Sequence, residues 1–403
     1  MSRVSLVRCV DYDPQRVDAA VRRAVELLGG MGAYVRPGQR VLLKPNLVRP
    51  FPPERAVCTH PTVVAAVARL VVEAGGHPVI VESPGGPYSE GVLRSFYRKT
   101  EMVWAAEAGG AELNYDVEAV QVSHPDAQLL HRLDLVKPLT EVDVVINLPK
   151  LKTHNLTGLT MAVKNLFGLV PGALKIGYHA KMQERERFAH GLLDIYTYVR
   201  PALNLMDAVV AMEGDGPSGG DPRPMGALVA GADALAVDVA GAALVGFEPM
   251  DVLTTQIAVE RGLTRGRPED IEWLGDAPDT VRLADFRRGT ASEIDPGLLP
   301  RALRGLLRME PSGEGDARGR GVFRILARGW VWRQLISLPR AGSECTGCGY
   351  CARHCPVNAI EITNGRAHMD TSRCIRCYCC HELCPELAVE LYRPLLGRLI
   401  MGS

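Results

Sequence analysis

The side chains best placed for chemistry are cysteines near the end of the chain, where CTGCGYCARHCP and CIRCYCCHELCP both read CxxCxxCxxxCP. Cys345, Cys348, Cys351 and Cys355 precede Pro356, and Cys374, Cys377, Cys380 and Cys384 precede Pro385. A cubic iron–sulfur cluster needs four converging thiolates. Three cysteines at i, i+3 and i+6 in a tight loop supply three from one side, so the fourth must come from elsewhere. In this pattern the cysteine ahead of proline ligates the other cluster. The expectation is two [4Fe-4S] clusters, one on Cys345, Cys348, Cys351 and Cys384, the other on Cys374, Cys377, Cys380 and Cys355. Such crossing would tie the two half-repeats together through metal and stabilise a unit too small for a large apolar core. The alternatives are zinc and disulfides. Zinc usually pairs CxxC with a distant CxxC or with histidines, and a disulfide framework suits a secreted chain. Cys379, beside Cys380, reads as a small apolar filler.

A second group of reactive types falls where strands are expected to end. Lys44 and Asn46 follow RVLL; Lys150, Lys152, Thr153 and His154 follow VVINLP; Glu213 and Asp215 follow MDAVVAM. Ligands of open parallel α/β sheets lie outside the carboxyl ends of the strands, so these residues are expected to share one cleft. Thr59 and His60 at a helix start, the turn Ser83 to Gly86, and Lys164 with Asn165 join them. Singly, each has a plain structural explanation as a solvated charge or satisfied core residue. Clustered cations, however, suit a carboxylate or phosphate. His154 is the natural proton carrier near neutral pH, with Lys152 or Lys164 as donors if desolvated. The catalytic candidates are therefore His154, Lys152 and Lys164. The substrate-binding candidates are Lys44, Asn46, Thr59, His60, Lys150, Thr153, Asn165, Glu213 and Asp215.

The elements that must hold these residues alternate in period. VSLVRC, RVLLKPN, HPVIVES, VDVVINLP and NLMDAVVAME read as strands; RVDAAVRRAVELLG, PTVVAAVARLVVEAGG and TMAVKNLFGLV read as helices. Pro61 belongs in the first turn of the second helix, with Thr59 or His60 as its cap. The fold class is α/β: a mostly parallel sheet with helices on both faces, joined by right-handed crossovers, plus a small C-terminal ferredoxin-like unit. No GxGxxG opens a helix, and GGMG at Gly29 to Gly32 reads as a helix end. The clusters are thus the redox cofactor for which the sequence argues.

With 403 residues the chain should hold more than one domain. The division expected is an α/β domain over 1–296, a basic amphipathic linker over 297–340, a cluster domain over 341–393 and a tail over 394–403. The linker either bridges the domains or docks on a partner or membrane surface. A formal net charge of +0 argues against bulk nucleic-acid binding. No apolar run is long enough for a transmembrane span, and MSRVSLVRCVDYD has no signal-peptide core. With cysteine use concentrated in one segment, the expected home is reducing cytoplasm.

The cysteine segment resembles bacterial two-cluster ferredoxins, down to the internal repeat CPVNAIEI against CPELAVEL. Residues 1–296, through KPNL, THP, NLPKLKTH, MAVKNLFGLVPG, EGDGPSGG and DALAVDVAG, resemble the DUF362 family. That resemblance implies the architecture and a shared polar cleft carrying Lys44, Asn46, Lys150, Lys152, His154, Lys164, Asn165, Glu213 and Asp215; it implies no particular reaction. A more distant likeness is to the N-terminal domain of nickel-pincer lactate racemases, an analogy of fold. The leading expectation is an iron–sulfur oxidoreductase that takes electrons from a donor protein and passes them to a small anionic or polar substrate. A non-catalytic electron-transfer or assembly protein, and an isomerase with structural clusters, are the alternatives.

Overall fold

The computed structural model describes residues 1–291 and 337–394. In chain order its elements are β1 (Ser2–Arg8), α1 (Pro14–Glu26), β2 (Arg40–Pro45), α2 (Pro61–Glu73), β3 (His77–Ile80), α3 (Glu90–Lys99), α4 (Met102–Gly109), β4 (Glu112–Leu113), β5 (Ala119–Ser123) and β6 (Arg132–Val136). There follow β7 (Val144–Leu148), β8 (Lys150–His154), β9 (Gly158–Thr160), α5 (Ala162–Asn165), α6 (Gly172–Lys181), α7 (Arg185–Val199), β10 (Leu203–Glu213), β11 (Asp221–Gly231), α8 (Ala234–Leu244), α9 (Leu253–Glu260) and β12 (Ile271–Gly275). The C-terminal part has β13 (Leu338–Ala341), α10 (Tyr350–Arg353), β14 (Ile360–Thr363), β15 (Arg366–Met369), α11 (Cys379–Leu383) and β16 (Val389–Tyr392).

Ten strands make one sheet in the order β12-β1-β11-β10-β7-β2-β3-β4, with β8 paired to β10 and β9. Pairing is parallel for β2 with β3 and β7, for β3 with β4, for β10 with β7 and β8, and for β1 with β12. Only β11, against β1 and β10, and β9, against β8, run antiparallel in this sheet. The short connection from Glu213 to Asp221 explains β11: it can close a hairpin but leaves no room for a crossover. Strand alternation sends Leu42 into one apolar layer, and Val41 and Leu43 into the other. The first layer is closed by α7 and α8, the second by α1, α2 and α4. The mostly parallel sheet covered on both faces is therefore the observed architecture. His60 caps α2, its ring accepting from Thr62 N, with Pro61 in the first turn.

Two local expectations change. Lys150 to His154 form a strand rather than a loop beyond one. MAVKNLFGLV holds only the single turn α5 before tightening into a 3-10 turn over Leu166–Leu169. Within that turn lies Gly168, where a Cβ would collide with Glu82 Oε1 and Lys44 Nζ. The backbone must pass directly over that buried pair.

In the C-terminal part β13 pairs with β16 and β14 with β15, both antiparallel. Its apolar packing is slight: Cys351 with Ile360 and Ala367, and Cys384 with Ala388 and Val389. The expected linker lies outside the described residues up to 336, and its last residues contribute to β13; the tail from 395 lies outside as well.

Gly168→Ala is expected to lower the free energy of unfolding by about 1–3 kcal/mol through overpacking. Gly177→Ala on α6, where an added Cβ meets nothing within 4 Å, should be neutral or slightly stabilising. Anaerobic denaturant titration of the two variants beside the parent chain checks the contrast.

Candidate functional site

β8 extends the line of β7 past Pro149, which has no N–H to give the ladder. The long strand β10 pairs first with β7, at Leu203 and Asn204, then with β8, at Asp207 and Met212. Alternation along β8 turns Lys150, Lys152 and His154 to one face, and their exposures are 2%, 0% and 1%.

Ammonium groups so deeply buried require acceptors. Lys44 Nζ donates to Glu82 Oε2 at 2.7 Å and to Pro45 O at 2.8 Å. Lys150 Nζ donates to Asp207 Oδ2 at 2.8 Å and to the Tyr12 hydroxyl at 2.6 Å. Both are thus engaged by buried carboxylates. Lys152 is different: its Nζ donates to Asn46 Oδ1 at 2.7 Å and Val57 O at 2.8 Å, both uncharged. Burial pushes its pKa down to about 7; Cys58 pulls upward, while Lys164 and Lys150 push further down. Neither acceptor carries a proton to give, so two N–H bonds are committed and the third valence is a proton or a lone pair according to pH.

His154 Nδ1 accepts from Leu156 N at 3.0 Å and Thr157 N at 3.3 Å, which places the ring proton on Nε2. Nε2 stands 3.1 Å from Glu382 Oε1, outside hydrogen-bond alignment. Burial, then the charge of Lys164, press the His154 pKa to about 4, so the ring is neutral at pH 7. Burial works upward on Glu382, yet His154, Lys164 and His179 hold its carboxyl down at about 2. Lys164, half-buried on α5, is lowered by burial, opposed by Glu382 and Cys379. On α6, Lys175 Nζ donates to Ser83 O, and burial brings its pKa to about 7. The ring of His179 stacks on Phe188 at 4.5 Å. Ser83 Oγ is buried without a partner among the described residues. Lys152, His154, Lys164 and His179 thus gather beside the carboxylate of Glu382, while Lys175 lies toward Glu82.

Amides support this group from below. Asn46 Nδ2 donates to Asn165 Oδ1 at 3.0 Å, Asn165 Nδ2 to Asn147 Oδ1 at 2.8 Å, and Asn147 Nδ2 to Asn204 Oδ1 at 2.8 Å. Asn204 Nδ2 ends the series on Gly231 O at 3.3 Å. Thr59 Oγ1 accepts from Asn46 N at 2.8 Å and donates to Leu148 O at 2.7 Å. His60 stacks on Tyr12 at 3.6 Å, and its backbone N–H donates to Asp207 Oδ2 at 3.0 Å. The Thr153 hydroxyl donates to Gly214 O at 2.7 Å. Glu213 and Asp215 point elsewhere: Glu213 takes Arg287 Nε at 2.8 Å, and Asp215 takes Thr290 N at 2.6 Å, so they clamp the segment entering from α9 and β12.

The C-terminal cysteines lie over this region. Cys345, Cys348, Cys351 and Cys384 line one small cavity. Cys374 lies near Cys377 and Cys355, and Cys380 lies near these three and also near Cys351 and Cys384. Backbone N–H groups reach sulfur at Cys355 (Ala359, 3.2 Å), Cys384 (Ala388, 3.2 Å) and Cys374 (Arg376, 3.4 Å). Thiolates standing round a space, with amide donors to sulfur, fit iron–sulfur clusters. Helix α11 carries Cys379, Cys380 and Glu382, and it is fastened down by Ser218 Oγ on Glu382 O (3.2 Å) and by His381 Nε2 against Asp215 O (3.0 Å).

Sequence reasoning missed Glu82, Asp207, Tyr12, Lys175, His179 and Glu382. Asp207 had a signal, a charge inside the apolar strand NLMDAVV; Glu82 had one at the end of HPVIVES. Glu382 had none, because its neighbour His154 is far away in the chain.

Residues 41–243 match the family model of DUF362, a domain of unknown function, and residues 344–388 match a 4Fe-4S dicluster domain. A thylakoid-associated protein of Synechocystis sp. is 39% identical over 261 residues, 64% of this chain and 79% of that protein. A component of an ion-translocating oxidoreductase complex from Methanosarcina acetivorans is 40% identical over 47 residues, 12% of this chain and 18% of that protein. Among solved structures, the lactate racemase apoprotein of Thermoanaerobacterium thermosaccharolyticum aligns with 12% identity and a TM-score of 0.38, over 61% of this chain and 57% of that one. Among the described residues no helix is long and apolar enough to cross a membrane.

Replacing Asp207 by Asn should destabilise the protein by about 3–5 kcal/mol, because the buried Lys150 loses its countercharge. The double variant Lys150→Met with Asp207→Leu is expected to recover a large part of the loss. Denaturant unfolding of the single and double variants measures the difference.

Proposed function

The chain belongs to the DUF362 family and carries a 4Fe-4S dicluster domain, and we propose that it is a cytoplasmic iron–sulfur oxidoreductase acting on a small anionic substrate. The observation that carries this reading is the 3.1 Å approach of Glu382 to His154, which sets the cysteine-bearing helix α11 against the lysine and histidine group. In this reading residues 1–296 bind substrate, 297–340 link, and 341–393 carry electrons. Cys345, Cys348, Cys351 and Cys384 would hold one cluster, and Cys355, Cys374, Cys377 and Cys380 the second. Bound there, the clusters supply electrons one at a time from a donor protein, two centres matching a two-electron reduction.

The rest is the work of side chains. Lys164 and Lys175 attract and orient an anion, to which His179, neutral because burial presses its pKa to about 4, offers only a hydrogen bond, and Ser83 Oγ has no other partner among the described residues. Lys152 is the proton donor: its two fixed acceptors aim the third N–H, and its lowered pKa lets the proton leave near neutrality. A two-electron reduction takes up two protons; Lys164, on the same space, supplies the second. His154, neutral with its proton on Nε2, serves as a hydrogen-bond donor rather than an acid. Lys44, Lys150 and Asn165 hold the frame, with Asn46 and Thr59 positioning Lys152. Concentration of the cysteines in a cluster-binding segment suits a reducing compartment.

The test is anaerobic reoxidation. The chain should load about eight iron and eight sulfide, and its bleached visible absorbance should recover when a panel of small carboxylates and phosphates includes a substrate. Because Lys152 must be protonated, the reoxidation rate is expected to fall as pH rises through about 7. Lys152→Met should abolish reoxidation while leaving cluster absorbance intact. Equal rates for Lys152→Met and the parent chain would refute the assignment.

A further inference from the structure

Arg49 lies in the loop between β2 and α2 and is 6% exposed. It forms no ion pair among the described residues, and its Nε has no hydrogen-bond partner. Its backbone is fixed by Cys58, whose thiol donates to Arg49 O at 3.2 Å. Its guanidinium sits over the Tyr350 ring, Cζ 5.5 Å from the centroid. Tyr350 opens α10, between Cys348 and Cys351, and its hydroxyl abuts the backbone at Gly86. Arg49 therefore crosses from the sheet part to the loop that presents Cys345, Cys348 and Cys351. Beyond Tyr350, the groups that act on its charge are the thiols of Cys384 and Cys348.

A buried guanidinium without a countercharge costs several kcal/mol, and a ring face returns only part of that. Three other buried cations have carboxylates: Lys44 has Glu82, Lys150 has Asp207, and Arg261 has Asp194 at 2.8 Å; Lys152 has neutral acceptors but can shed its proton, which a guanidinium cannot. Arg49 has thiols. A [4Fe-4S] cluster on four thiolates is a dianion when oxidised and a trianion when reduced, so it supplies the missing charge, and more of it after each electron arrives.

We propose that Arg49 is the counter-ion of the cluster held by Cys345, Cys348, Cys351 and Cys384, favouring its reduced form and tying the C-terminal unit to the sheet when that cluster is present. Arg49 is a positioning residue, acting through charge and through Tyr350. The proposal rests on the cysteine assignment above but not on any turnover, so its failure is separable from that of the oxidoreductase reading.

The experiment is an EPR-monitored redox titration of the full chain, loaded anaerobically, as parent, Arg49→Met and Arg49→Lys, with iron and sulfide measured on each. Met keeps much of the reach and removes the charge. One cluster's midpoint should move to more negative potential in Arg49→Met, the other should stay, and Arg49→Lys should stand near the parent. Unmoved midpoints in a fully loaded Arg49→Met would overturn the proposal and leave Arg49 a packing residue. If Arg49→Met does not load, Arg49→Lys decides: loading with a parental midpoint supports the counter-ion role, and failure to load assigns Arg49 to shape-specific packing.

Discussion

An ammonium group can be taken out of water only when its protons are met, and this molecule is built around meeting that condition three times within one sheet. Lys44 and Lys150 are satisfied by carboxylates, Lys152 by two carbonyl oxygens. The difference in partner sets the difference in character. An ion pair holds a lysine charged and inert, whereas neutral acceptors orient a lysine without fixing its protonation. Two lysines can therefore be structural while the third, on the same strand face, keeps a proton it can release.

The same economy of charge governs how the two parts of the chain meet. Glu382 brings a carboxylate to a pocket otherwise lined by lysines and histidines, and Arg49 brings a cation to a loop otherwise lined by thiols. Around them lie ordinary contacts: Tyr378 OH on Ser337 O at 3.0 Å, Ser337 Oγ on Thr290 O at 2.8 Å, and Ala291 packed on Tyr378 and Leu391. The interface thus pairs a carboxylate with cations at Glu382, and a cation with the cysteine loop at Arg49. Complementarity of that kind fixes register more than it adds affinity.

Much of this was legible in the residue letters, and the limits are physical. Paired CxxCxxCxxxCP runs are readable because cluster geometry dictates their spacing. The sheet was readable because buried strands such as VVINL are apolar but for a single residue, Asn147. β8 was misplaced because KLKTH has two lysines and a histidine, which suggest solvent; nothing local says that β10 lies alongside to bury them. The choice of Lys152 from among the lysines, and the tautomer of His154, depend on partners that only tertiary structure supplies. Asp207 shows the intermediate case, since a carboxylate inside an apolar strand announces a buried partner without saying which.

The series of amides beneath the site has a further property. Each asparagine from Asn46 to Asn204 receives on its oxygen and gives from its nitrogen in the same sense, beginning at an ammonium and finishing on backbone carbonyls. No member can be flipped alone without setting two donors or two acceptors face to face on either side. The row is consequently locked as a unit, a string of like-oriented dipoles whose negative ends all look toward the lysine, and its orientation is written into the strands before any ligand arrives.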